Sequence, residues 1–369
     1  MQQHHRQLRF FVRRSAFTLV EMLVVCAIIL ILALLTISMI HFVSQNAKIA
    51  KTRATILKLD TAMQQIFADY EYKFISIQNE VRRKVEEGEA GYDNISEEEQ
   101  QRRTAHFIRD LMRMEMPQSW AEVYNLDYNE ELLPLAVDGE HYIDPSPLFI
   151  FYQEEYQRWV AADTANRLRQ SPSRAALFFL IIQNLNPESL NAFHSNEVRR
   201  NEHDMFEFID AWGRPIQFLR WAPALTDSDL QYNVLKDAGY TPVVGRNNNN
   251  REWWIGRYMS RNTELLEPMR QATQNHPDHM DERVIAVLLE NQLRIQRGEP
   301  EETLDFIGWF LYPLIYSVGP DGIAGIDSGN DREQTAIFGG ILDPFLVPFG
   351  MPDGTGRHLD NVHNHQWYR

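Results

Sequence analysis

From Met22 to Val43 the chain carries no Lys, Arg, Asp or Glu. A helix needs about 20 apolar residues to cross a bilayer, so this run predicts a membrane-spanning helix. A secretory signal peptide has a shorter apolar region, about 7 to 15 residues, and ends at a small-x-small site. No such site follows here, and Ser44 to Lys48 continue as helix. The segment is therefore expected to remain as an anchor. Beyond it the apolar pattern becomes amphipathic. Ile56, Leu59, Met63, Ile66, Phe67, Tyr70 and Phe74 fall on one helical face, with Lys58, Asp60, Gln64, Gln65, Asp69 and Lys73 on the other. No Pro or Gly interrupts Phe17 to Glu87, and Gly88 and Gly91 mark the stop.

An acid-rich stretch at 86–99 reads as a solvated loop and helix start, with a capping box at Ser96 to Glu99. A helix then runs to about Met114, with Ala105, Ile108, Leu111 and Met112 on one side. Further helical patterns occupy 150–169 and 173–195. Within the second, Ala175 to Ile182 is too short to span a membrane and is expected as buried core. Residues 92–203 thus read as a helical insertion. At Met205 the period shortens to two. Met205–Ile209 and Ile216–Trp221 flank Gly213 and Pro215, which reads as a β-hairpin. A second insertion at 222–302 holds helical patterns at 262–274 and 280–297. Leu311 to Tyr316 is again strand-like.

Charge narrows the classes. The net charge is −15, with 36 basic and 51 acidic residues. Phosphate contacts need clustered Lys and Arg, so no nucleic-acid partner is expected. Arg6, Arg9, Arg13 and Arg14 precede the apolar run without an acidic residue, which favours a cytoplasmic N-terminus. Lys48, Lys51, Arg53 and Lys58 at the far end weaken that asymmetry. The single cysteine, Cys26, allows neither an internal disulfide nor a cysteine-only metal cage. Glu21 stands at the front edge of the apolar run, where a carboxylate costs a few kcal/mol and usually has a partner. By itself it reads as a headgroup-level residue.

The basic leader, the small residue Ala16, the run Phe17-Thr18-Leu19-Val20-Glu21 and the apolar stretch after it stand in one order. That order resembles the N-terminal segment of type IV pilins and type II secretion pseudopilins. The resemblance implies cleavage by the prepilin peptidase between Ala16 and Phe17 and N-methylation of Phe17. It also implies that Glu21 pairs with the N-terminal amine of a neighbouring subunit during assembly. Ala16 departs from the Gly usual there, which implies slower cleavage rather than none. The expected fold class is α+β: a long N-terminal helix packed on a small antiparallel sheet head with helical insertions. The expected parts are a leader at 1–16, a transmembrane helix at 17–43, its amphipathic continuation at 44–91, the insertion at 92–203, and a β head at 204–369.

Two later stretches are similar to the major pseudopilin of type II secretion. Asp210-Ala211-Trp212-Gly213-Arg214-Pro215 looks like its Trp-Gly-x-Pro turn, a pattern also common in unrelated turns. Ser317-Val318-Gly319-Pro320-Asp321-Gly322 looks like the start of its Gly-rich loop, which there holds calcium. Calcium takes six to eight hard oxygens, and Asp321, Asp327, Asn330 and Asp331 with backbone carbonyls offer them here. The family's adjacent acidic pair is absent, since Ser328-Gly329-Asn330 separates Asp327 from Asp331. A solvated Gly/Asp turn is the competing reading.

His358, His363 and His365 have spacings that admit zinc, but they read as a flexible C-terminus. His276 and His279 read as a surface turn, because Pro277 breaks a helical pair. Nucleophile elbows, phosphate loops and a His-Glu-x-x-His pair are all missing, so no enzyme is expected. The resemblance implies an inner-membrane, single-pass subunit with a periplasmic head, assembled into a type II secretion pseudopilus. Its partners would be prepilin peptidase, other pseudopilins, the inner-membrane assembly platform and lipid. A type IV pilin for adhesion, motility or DNA uptake remains an alternative, as does a pilin anchor carrying a binding or enzymatic module.

Overall fold

The computed structural model describes residues 19–88, 92, 97–124, 144–162, 173–222, 225, 298, 312–326 and 355–366. The chain divides into two compact units, Met1–Lys48 and Ile49–Arg369. Helix α1 spans Leu19–Glu87. It stops as expected at Gly88, whose φ of +69° suits a residue without Cβ and whose N–H donates to Val85 O at 3.1 Å.

The second unit is α+β. Among the described residues, helices α2 (Glu97–Glu115), α3 (Trp120–Tyr124), α4 (Pro147–Ala162) and α5 (Arg174–Leu185) precede five short strands. Strand β1 (Val198–Arg200) pairs antiparallel with β2 (Phe206–Phe208). A separate antiparallel sheet has the order β3 (Gln217–Leu219), β4 (Leu314–Ser317), β5 (Val362–His363). Helix α5 ends ten residues before the sequence pattern does. Pro187 lacks an N–H and restricts Asn186, so the chain leaves the α-helix there and makes a 3-10 turn over Pro187–Ala192.

One core joins these pieces. Ile56, Leu59, Met63, Ile66 and Tyr70 of α1 pack with Ile108 and Met112 of α2, Phe178 and Ile182 of α5, and Phe208, Phe218, Ile315 and Val362 of the strands. Phe178 stacks on Phe218 with ring centres 4.7 Å apart. The helices read as an insertion therefore supply part of the same core, because their apolar faces need cover.

The hairpin expectation holds at its tip and fails in its arms. Ile209 bridges Pro215, and Ile216 N donates to Phe208 O at 2.9 Å. Beyond that point β2 turns to β1 and β3 to β4. Both arms still meet α5 at Phe178, Phe208 edge-on and Phe218 stacked.

The polar face of α1 also differs from the simple periodic reading. Asp60 is 4 % exposed. It accepts hydrogen bonds from Asn364 Nδ2 at 2.6 Å, Gln64 Nε2 at 2.8 Å and Tyr312 O–H at 3.0 Å. Burial raises its pKa, opposed by those three bonds. Nearby, Glu197 accepts from Thr55 Oγ1 at 2.7 Å and pairs with Lys58 at 2.8 Å. Polar groups on α1 thus fasten β1, the segment before β4 and the C-terminal residues to the helix.

Candidate functional site

Glu21 lies in the first turn of α1, where a carboxylate suits the positive end of the helix dipole. Ala16 and Phe17, the expected cleavage and methylation positions, lie outside the described residues. The apolar side chains that follow stand open, with Leu30 64 %, Leu34 65 % and Phe42 66 % exposed. Among the described residues α1 is the one helix long and apolar enough to cross a membrane. Exposed apolar area costs roughly 25 cal/mol per Å² in water, and lipid or neighbouring helices remove that cost. Thr36 Oγ1 donates to Leu32 O at 2.7 Å, which satisfies the hydroxyl inside the helix. Cys26 is exposed on the same segment.

The two later motifs meet in the second unit. Asp210 Oδ1 accepts from the N–H groups of Trp212 and Arg214, both at 2.8 Å. Gly213 completes the turn with a φ of +77°. Ala211 N donates to Thr52 Oγ1 of α1 at 3.0 Å, which ties the turn to the long helix. The second carboxylate oxygen of Asp210 accepts from Ser317 Oγ at 2.6 Å. Ser317 ends β4 and opens the Gly-rich loop. The Arg214 guanidinium then donates to the carbonyls of Gly319 and Pro320, the latter at 3.1 Å. Gly322 has a φ of +81°, and a Cβ there would come within 2.9 Å of Arg214 Cζ. Stretches that read in sequence as separate turns are one hydrogen-bonded assembly.

Of the four expected calcium ligands, only Asp321 is among the described residues; Asp327, Asn330 and Asp331 lie outside them. Asp321 Oδ1 accepts from Ile323 N at 2.7 Å, and Asp321 N donates to Asp360 Oδ2 at 3.2 Å. Asn361 Nδ2 donates to Ala324 O at 2.6 Å. Asp360 Oδ1 and Asn361 Oδ1 are buried with no hydrogen-bond donor among the described residues. A buried acceptor left in that state costs about 1–3 kcal/mol, and a cation or water relieves it. The oxygen chemistry of Asp321, Asp360 and Asn361 fits calcium. These three do not by themselves form a complete ligand cluster, and no group of three or more His, Cys, Asp or Glu is placed to hold a metal among the described residues. Sequence reasoning missed Asp360 and Asn361, although an Asp-Asn pair just before the apolar Val362 was a usable signal.

The C-terminal histidines are not a loose tail. His363 lies in β5, and His363 and His365 are buried. His365 Nε2 donates to Pro313 O at 3.0 Å. Burial first, and then His363, push His365 down to about 3, against the pull of the Pro313 bond. A neutral histidine held in this way is a core residue.

Comparison with protein families matches residues 12–37 to the prokaryotic N-terminal methylation motif. This is the signal of type IV pilins and pseudopilins, and it supports a pilin-like or pseudopilin precursor. The motif implies processing by prepilin peptidase and assembly with other pilin subunits, and with the apolar helix it indicates membrane anchoring. No curated protein and no solved structure matches the chain.

Proposed function

We propose that this chain is a pseudopilin of a type II secretion system. Prepilin peptidase cuts it between Ala16 and Phe17, and Phe17 is methylated. The apolar part of α1 holds it in the inner membrane, with the N-terminus cytoplasmic and the head periplasmic. Glu21 then guides its entry, through the inner-membrane assembly platform, into a periplasmic filament with other pseudopilins. The single observation that carries the choice of secretion is the joining of Asp210 to Ser317 and of Arg214 to the Gly-rich loop. This joins the two stretches that resemble the major pseudopilin. Calcium at the loop is part of the proposal, with Asp321, Asp360 and Asn361 offering oxygens on the described side. Bound there, it would supply positive charge to those acceptors.

The type IV pilin reading shares the N-terminal motif and differs in phenotype. Deleting the gene in its own host is expected to leave folded export substrates in the periplasm while surface pili remain. Supernatant and periplasmic fractions, with microscopy of surface filaments, read the outcome. Normal export together with lost surface pili would transfer the assignment to the type IV pilin.

A further inference from the structure

Arg214 brings a fixed positive charge to one end of the Gly-rich loop. A guanidinium is planar, stays charged and offers several donors in one fork. Here it spans two successive carbonyls, Gly319 and Pro320. The absence of a side chain at Gly322 leaves room for it. Arg214 is itself anchored, since its N–H donates to Asp210 Oδ1 and its carbonyl accepts from Asp210 N at 2.8 Å. Asp210 also holds Ser317, and the Ser317 hydroxyl accepts from Gly319 N at 3.2 Å. The other end of the loop is built differently. There Asn361 holds Ala324 O, and the acceptors Asp360 Oδ1 and Asn361 Oδ1 have no donor among the described residues.

We propose that Arg214 is a built-in cation that closes the Gly319–Gly322 turn without a metal ion. The loop is then ordered in two halves. The guanidinium orders the first against the Asp210 turn and, through Thr52, against α1. The C-terminal segment orders the second, where any bound cation acts. Carbonyls that already face a guanidinium are poor further ligands, because a metal ion beside Arg214 meets like charge. This inference does not rest on the secretion reading: a metal-independent turn is compatible with either kind of filament, and the gene deletion does not bear on it.

Hydrogen exchange of the full chain in detergent micelles, followed by mass spectrometry, tests the idea. The peptide covering residues 317–320, which stops short of Asp321 and its bond to Asp360, is compared in millimolar calcium and in excess chelator. In the wild type, exchange there is expected to be equally slow in both. Arg214→Gln is expected to speed it about tenfold in both, the size expected for losing charge-assisted hydrogen bonds. Arg214→Lys is expected to fall between, since an ammonium lacks the planar fork. Gly322→Ala, which crowds the guanidinium, is expected to match Arg214→Gln. Peptides from α5 serve as the control for global unfolding and should not change. Wild-type protection that is present in calcium and lost in chelator would overturn the proposal. So would an Arg214→Gln variant that exchanges like the wild type.

Discussion

A carboxylate at the start of a lipid-facing helix costs a few kcal/mol unless a positive group meets it. Glu21 sits at that position in α1, and its removal therefore separates two roles. Under the proposed role, Glu21→Ala or Glu21→Val leaves processing intact, so the mature mass still begins at Phe17. Incorporation into filaments falls several-fold, read by crosslinking through the exposed Cys26. A headgroup-level carboxylate predicts equal crosslinking instead, and that result would remove the pairing role. Glu21 was legible because its neighbours in sequence carry the meaning. Asp60 was not. Its helical spacing places it with Lys58 and Gln64, yet it is buried by Tyr312 and by Asn364, which lies 304 positions away. Periodicity reports a helix's faces and does not report what arrives to cover them.

At the scale of elements, α5 holds the second unit together. Its run from Ala175 to Phe179 is buried, and Phe178 meets Phe208 edge-on and stacks on Phe218. Phe178→Ala is expected to cost about 3–5 kcal/mol, since the ring is fully enclosed and two strands lose a shared partner. Phe206→Ala, at a position 42 % exposed, should cost under about 1 kcal/mol. Denaturant unfolding of the full chain in micelles, followed by tryptophan fluorescence, measures both; similar losses would show that α5 is not central. The apolar run of α5 was plain in the sequence. Its end at Leu185 was also available, because Pro187 cannot continue a helix. The partners of β2 and β3 were not available, because strands this short carry too little alternation to specify which sheet they join.

For the whole molecule, stability depends on pH through groups that different parts of the chain enclose. His365 is held neutral, with its pKa lowered to about 3. The unfolded state binds its proton near 6.5, so full stability is present above that pH and is lost as pH falls toward 3, at about 1.4 kcal/mol per unit. Glu197 acts in the same direction at lower pH. Its burial raises the pKa, but bonds from His194 N–H, Lys58 and Thr55 outweigh that and lower it, so its stabilisation is lost as pH falls through the carboxylate range. Asp60 opposes both: its raised pKa means stability is lost as pH rises through that range. Unfolding free energy should therefore fall between pH 6.5 and 4, and His365→Gln, which keeps a donor for Pro313, should flatten the slope. Equal slopes in the two proteins would show that His365 does not control it. What the sequence alone determined is the long helix, its apolar anchor with the leading motif, and the stop at Gly88. These follow from transfer of contiguous side chains into lipid and from local backbone chemistry. Tertiary structure decided the burial of Asp60, the sorting of the hairpin arms into two sheets and the enclosure of the C-terminal histidines. It also joined the Asp210 turn to the Ser317 loop, 107 positions on. Each of these depends on which distant group desolvates a residue or satisfies its hydrogen bond, and local pattern carries no record of that.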